Sequence, residues 1–280
     1  MSDFILAHEP IIRISAFLCI LIVMAVWEAV APRRRRACSR WVRWPSNLGL
    51  VFLNTLVVRL SIPVAAVGIA ALGEQRGWGL LNNVTLHGWG RIAIAVLALD
   101  LVIYLQHVLF HAVPVLWRLH RMHHADLDFD VTTGARFHPI EILLSMGLKL
   151  AVVATLGAPP ISVLIFEIVL NGTAMFNHGN VGLPERLDRA LRWIIVTPDM
   201  HRVHHSVIAR ETNSNFGFNL PWWDRLFGTY CAQPAAGQEG MTIGLDRFRD
   251  PGQLRLDRML IQPFTEPPGP DQPSEKYRAP

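Results

Sequence analysis

"RIAIAVLALDLVIYLQHVLFHAV", residues 91–113, is too apolar for a surface helix and too polar at one end for a simple membrane anchor. After Arg91 the run is apolar apart from Asp100, Gln106, His107 and His111. A bilayer core requires about 20 apolar residues in helical form, and this stretch supplies them. His107 and His111 stand at i and i+4, so both project from one face of that helix. Asp100 lies seven residues before His107, on nearly the same face. An ionisable group inside such a segment marks a functional site by default.

Four further segments have similar character. Residues 11–30, "IIRISAFLCILIVMAVWEAV", form the first. "AVA" at 29–31 resembles a signal-peptide cleavage site, but signal peptides carry their positive charge before the apolar run, and here the arginines follow it. A retained helix is the better reading. The second segment, 48–72, contains Arg59 and Pro63 and is expected to be kinked or partly buried. The last two, 140–157 and 160–177, are joined by "GAPP", which is room only for a tight reversal. Glu141, Lys149 and Glu167 leave this pair readable as two crossings or as a hairpin that enters without fully crossing.

Composition agrees: 51% of residues are hydrophobic and 17% charged, against about 25% charged in soluble proteins. The net charge of +4 is concentrated in runs such as "RRRR" at 33–36. Next to apolar segments such runs mark cytoplasmic helix ends rather than a nucleic-acid surface. Residues 33–45 hold six arginines and 73–90 only Arg76, which puts the former in the cytoplasm and the latter outside. The N-terminus is then outside, and 114–139 and everything after about 178 are cytoplasmic. Cys19, Cys38 and Cys231 form no CxxC pair and suggest neither disulfides nor a thiolate zinc site. The expected organisation is N-terminal membrane helices over 1–90, a histidine-rich catalytic region over 91–231, and a tail over 232–280 that is partly disordered, since "FTEPPGPDQPSEKYRAP" is proline-rich and polar.

That orientation sorts the histidines. Ten of the twelve (His107, His111, His120, His123, His124, His138, His178, His201, His204 and His205) fall at or beyond cytoplasmic helix ends, while His8 and His87 fall on the other side. "HRMHH" at 120–124 and "HRVHH" at 201–205 repeat one pattern. In HxxHH the two neighbouring histidines diverge by about 100° around a helix, a shape that serves two adjacent metals. Neutral imidazole suits iron, zinc, copper and nickel alike. HExxH is absent, and a haem would need only one axial histidine from each side. Asp100 is expected to accept a hydrogen bond from the far nitrogen of a ligating histidine, or else to pair with Arg59.

These residues resemble the fatty acid hydroxylase superfamily, also called the sterol desaturase family, of membrane di-iron oxygenases. "DLVIYLQHVLFH" is similar to its first histidine box and "LWRLHRMHHAD" to its second. "TTGARFHPIE", "FNHGNVGLP", "TPDMHRVHHS" and "ETNSNFGFNLPWWDRLFGTY" follow in the family's order, so the likeness covers about residues 95–230. The first box reads HVLFH where many members carry Arg directly after the first histidine.

The resemblance implies an all-α membrane bundle of four to five segments with a cytoplasmic cap over two irons, in which zinc can substitute. It implies O2 as co-substrate and a fatty acyl, sterol or related membrane lipid as the molecule hydroxylated. The eight box histidines are the implied ligands, with His138 and His178 adding two more. No fused electron carrier is visible, so a separate donor of the cytochrome b5 or ferredoxin type is expected, in a bacterial inner membrane with the site facing the cytoplasm. Desaturation by the same site is the near alternative. A metal transporter is a distant one, because the histidines stop at one surface.

Overall fold

The structure is a computed structural model that describes residues 2–62 and 64–265. Among the described residues there is no extended strand. The membrane part comprises α1 (Ser2–Ala7), α2 (Glu9–Val30), α3 (Arg40–Ser61), α4 (Ala66–Arg76), α5 (Gly88–Ala112), α7 (Pro139–Leu156) and α8 (Pro160–Asn177), while α6 (Pro114–His124), which follows α5, belongs to the cap. The rest of the cap holds the short helices α9 (Glu185–Leu191), α10 (Pro198–His204), α11 (Ala209–Thr212), α12 (Trp222–Leu226), α13 (Gly237–Gly240) and α14 (Leu256–Ile261). Five stretches are long and apolar enough to cross a membrane: Glu9–Val30, Arg40–Asn82, Gly88–Ala112, Pro139–Leu156 and Pro160–Asn177.

Proline punctuates the chain where direction must change. Pro114, Pro139, Pro160 and Pro198 each open a helix, where the missing N–H costs nothing. The α3 ladder ends at Ser61, ahead of Pro63, so the expected second segment 48–72 is divided between α3 and α4, and α3 begins eight residues earlier than expected. The α7–α8 reversal falls where "GAPP" predicts it. Gly157 takes φ +65 there, and a Cβ on the adjoining Gly79 would lie 2.1 Å from the Gly157 nitrogen.

α8 is the central post, packed against α2, α4 and α5, while α7 packs on α3, α4 and α5. Ala66, Ala70, Leu99, Val153, Val163 and Phe166 form the core at the end remote from the cap. α2 shows the opposite pattern, exposing Ile11, Ile14, Leu18, Ile22, Val23 and Val26. With no water to repel, such a surface suits hydrocarbon. Lys149 of α7 forms an ion pair with Glu167 of α8, which also accepts Arg13 at 3.0 Å. Lys149 and Glu167, two of the charges that complicate this hairpin in the sequence, therefore neutralise one another.

Buried polar contacts fasten the cap to the bundle. Arg43 of α3 grips Asp126 through Nε at 2.6 Å and Nη2 at 2.8 Å, and Asp130 through Nη1 at 2.6 Å. Arg43 and Asp126 are both fully buried. Burial pushes the Asp126 carboxyl upward, but the Arg43 and Arg136 guanidiniums outweigh it and hold it well below the carboxylate range. Glu28, near the end of α2, accepts the backbone N–H of Val131 at 2.7 Å and of Asn180 at 2.9 Å. Residues 256–265, assigned from sequence to the tail, are folded against α6: Arg118 donates to the Pro263 carbonyl and Arg121 to that of Gln262. Most of the proline-rich stretch, 266–280, lies outside the described residues.

Candidate metal centre

Nine histidines converge into two adjoining groups. One comprises His107, His111, His120, His124 and His204; the other His123, His178, His201 and His205. Within each group, one ring nitrogen per residue lies within 4.8 Å of all the others. The sorting follows the helical geometry. His120 and His124, four apart on α6, share the first group, and His123 turns to the second. On and just after α10, His201 and His205 share the second group while His204 turns to the first. The 100° divergence of adjacent residues thus deals each HxxHH motif to two centres. α5 ends at Ala112 and Pro114 starts α6, a sharp turn that brings His107 and His120 face to face.

Hydrogen bonds on the outer nitrogens set the tautomers. His107 Nδ1 donates to the Phe216 carbonyl at 2.8 Å, His204 Nδ1 to that of Ser214 at 2.8 Å and His178 Nδ1 to that of Ala174 at 2.7 Å. His120 Nδ1 donates to Glu141 Oε1 at 2.7 Å, and His111 Nδ1 to Asn213 Oδ1 at 3.2 Å. With the proton on Nδ1, each Nε2 presents a bare lone pair. Yet His107 Nε2 and His120 Nε2 face each other at 3.1 Å. Around His178 Nε2 stand the Nε2 atoms of His201 at 3.1 Å and of His123 and His205 at 3.2 Å. Between His107 and His120, whose protons are held on Nδ1, the opposed lone pairs repel unless a cation lies between them, whereas His123, His201 and His205 leave Nδ1 without a partner and share His178 Nε2 as their inward neighbour. Nitrogen ligands at about 2.0–2.1 Å from a metal sit roughly 2.9–3.4 Å apart. The residues present therefore fit a metal in each group.

All nine rings are buried. Burial drives the His120 and His178 imidazoles down to about 3, and those of His123, His124, His201, His204 and His205 also fall well below their ordinary value. All of these rings are thus neutral at physiological pH, the form that ligates metals. His124 has no hydrogen bond at either nitrogen, and the His111 and His204 Nε2 atoms have none. Buried orphans of this kind ask for a partner.

Two expectations need correction. His138 is not brought into either group: its Nδ1 accepts the N–H of Ile140 at 3.2 Å, capping α7, and its Nε2 donates to the Leu260 carbonyl at 3.2 Å. Both ring nitrogens are occupied. Asp100 supports no ligating histidine and does not pair with Arg59; its Oδ2 accepts Trp223 Nε1 at 2.8 Å. The carboxyl group behind a converging histidine, His120, is that of Glu141, which the sequence presents as a charge within a membrane segment and as the end of the motif TTGARFHPIE. An acid in the first turn of an apolar helix was the available signal. Asp224 accepts the N–H groups of Phe216 and Gly217 at 2.8 and 2.9 Å and so fixes the loop that holds His107. Arg225 lies over the Trp193 and Tyr230 rings.

Comparison with known proteins gives the same reading. The fatty acid hydroxylase family model matches residues 92–229. An ornithine lipid hydroxylase, OlsE, of Rhizobium tropici is 33% identical over 175 residues, 62% of this chain and 50% of the relative. Alkylglycerol monooxygenase of Xenopus tropicalis is 29% identical over 59% of this chain and 36% of its own length. Cholesterol 25-hydroxylase of Rattus norvegicus is 27% identical over 51% and 47%, respectively. The chain thus spans half or less of the length of these curated relatives. No solved structure matches. Residues 92–229, which carry all nine converging histidines, are therefore a fatty acid hydroxylase family region.

Proposed function

We propose that the protein is an O2-dependent oxygenase that hydroxylates a C–H bond of a membrane lipid, using two iron ions held by the two histidine groups. The observation that carries the reading is the pair of buried, neutral imidazole clusters with bare Nε2 atoms directed inward. His107, His111, His120, His124 and His204 would hold one ion, and His123, His178, His201 and His205 the other. When bound, the iron pair supplies the redox capacity to activate O2 and remove hydrogen from an unactivated carbon. Overall, the lipid gains one oxygen atom, the second oxygen leaves as water, two electrons come one at a time from a separate carrier protein of the cytochrome b5 or ferredoxin type, and two protons come from solvent. All-nitrogen ligation also accepts zinc, so zinc is expected in iron-poor preparations.

The chain's own residues contribute position and dryness. Glu141, the Phe216 and Ser214 carbonyls and Asn213 fix the ring orientations from outside. Phe216, Phe218, Phe129 and Phe137 pack against the imidazoles and exclude water from the centre. Segments long and apolar enough to cross a membrane would hold a lipid's hydrocarbon beside this chamber, and the arginine bias favours the cytoplasmic side for it, where electrons are available. The relatives are hydroxylases and monooxygenases rather than desaturases, which favours hydroxylation, and ornithine lipids, alkylglycerols and cholesterol share an apolar body rather than one headgroup.

Expression in a host that lacks the protein, followed by mass spectrometry of lipid extracts, tests the reading. A lipid heavier by one oxygen is the expected result. Loss of two hydrogens would point to desaturation, and an unchanged lipidome in iron-replete, aerated cells would refute both.

A further inference from the structure

The cap exposes a group of large apolar side chains that the metal centre does not use. Trp193 and Ile194, just after α9, are 61% and 65% exposed, and Leu226 and Phe227, on and after α12, are 70% and 52% exposed. Leu187 and Trp222 are also exposed. The two segments form one surface, because Trp222 Nε1 donates to the Trp193 carbonyl at 2.7 Å and the Arg225 guanidinium lies 4.0 Å from the Trp193 ring centroid.

The depth of this surface follows from what α12 touches. Trp223 bonds Asp100, and the Phe227 ring stacks on Tyr104 with centroids 5.5 Å apart. Both partners lie on the membrane-spanning helix α5, on the bilayer side of His107. At 1.5 Å rise per residue, Asp100 is about 10 Å and Tyr104 about 4.5 Å deeper along the helix axis than His107. Asn219, just before α12, also reaches down to Thr173 within the spanning helix α8. A cap segment tied to two membrane helices below the metal ligands does not stand clear in water. Its exposed face carries Trp, Leu, Ile and Phe, with Arg186 and Arg189 exposed on α9, the composition of a segment lying in the headgroup–acyl boundary.

We propose that residues 187–194 and 222–227 form a lipid-inserted wedge, seated in the cytoplasmic leaflet against α5. The occupant of this apolar face is the bilayer itself, since the face continues the lipid-facing surface of a spanning helix. The inference rests on the assignment of α5 as a membrane span.

Nitroxide accessibility in vesicles of phosphatidylethanolamine and phosphatidylglycerol tests it, with the full chain in a background where Cys19, Cys38 and Cys231 are replaced by alanine. Labels at Ile194→Cys and Leu226→Cys are expected to collide with oxygen as readily as a label at Leu97→Cys on α5, and several-fold less with a water-soluble nickel chelate than a label at the exposed Asp257→Cys. Chelate access at positions 194 and 226 equal to that at 257 would overturn the wedge, as would protection from both reagents, the mark of a protein partner or a second copy. The Leu97 label separates the two readings: a water-exposed Leu97 would remove the spanning assignment itself, while a lipid-exposed Leu97 with a water-exposed Leu226 would remove only the wedge. If the cysteine-free background fails to fold, quenching of the native chain by acyl-brominated phosphatidylcholine replaces it. Trp193→Phe with Trp222→Phe should then remove a measurable share of the quenchable emission, and no loss would overturn the proposal.

Discussion

His120 meets Glu141 at 2.7 Å on one ring nitrogen and faces His107 at 3.1 Å on the other, so a single side chain joins the ligand set to its outer support. Replacing it with alanine removes a nitrogen that no water can supply in a buried pocket, and His120→Ala should lower bound metal and abolish lipid oxidation. Glu141→Gln keeps the shape but exchanges the carboxyl acceptor for an amide, and metal affinity should fall roughly 10- to 100-fold. Metal analysis under graded chelation would register both. Two substitutions sharpen the assignment. His138→Ala should retain the wild-type metal content, because both of its nitrogens are committed to α7 and to Leu260. Asp100→Asn should do the same, since its partner is Trp223. Metal lost from the His138 variant at unchanged fold would return that residue to the ligand set.

At the scale of elements, the cap is held by contacts that join distant parts of the chain. Arg43 of α3 is fully buried between Asp126 and Asp130 on the loop after α6. Removing one partner of a buried ionic cluster leaves the other charges unpaired and typically costs about 3–5 kcal/mol. Arg43→Met should therefore lower the thermal midpoint in detergent substantially. Arg43→Lys should not rescue it, because an ammonium lacks the fork that spans two carboxylates. Sequence periodicity reveals helices and not such pairings. The spans were legible because a bilayer demands a long apolar run. The division of each HxxHH motif was legible because helical rotation alone dictates it. The Arg43 cluster was not, as its partners lie 83 and 87 residues away and nothing local marks them. His138 and His178 looked alike for a similar reason: each borders an apolar segment. The structure separates them because His138 precedes α7 and turns back to cap it, whereas His178 closes α8 and faces the centre.

For the molecule as a whole, the buried imidazoles tie stability to pH and metal. His120 and His178 are held near 3 in the folded protein against an ordinary value of 6.5. The unfolded chain then binds more protons whenever the pH drops below about 6.5, so this contribution is complete above that pH and is lost progressively as the pH falls toward 3. Metal-free protein should show a flat thermal midpoint at neutral pH and a decline beginning near 6.5, above the range in which carboxylates titrate. Added metal, which competes with protons for the same nitrogens, should move the onset of the decline to lower pH. A midpoint insensitive to pH between roughly 5 and 7 in the metal-free form would contradict the burial of neutral rings.

Orientation is the last property of the whole molecule, and on the proposed function it decides from which side electrons must arrive. The nine converging histidines lie at one end of the bundle, whereas the Gly79–Gly157 contact joins the loop before α5 to the α7–α8 turn at the other. His87 sits at the start of α5, 20 residues before His107, or about 30 Å along a straight helix. The six arginines of 33–45 belong to the histidine end: Arg33 pairs with Asp199 at the start of α10, and Arg43 with Asp126. On the proposed orientation, the positive-inside bias favours the cytoplasm for the histidine end and the opposite side for the 73–90 loop. Reporter fusions at about residue 85 and about residue 235 should report opposite compartments, with the latter cytoplasmic. His87→Ala should leave metal content and activity near wild type, because the width of the bilayer separates it from the centre. Two reporters on one side, or a folded His87→Ala protein without activity, would mean that an odd number of these segments fails to cross, and the cytoplasmic assignment of the metal centre would fall with it.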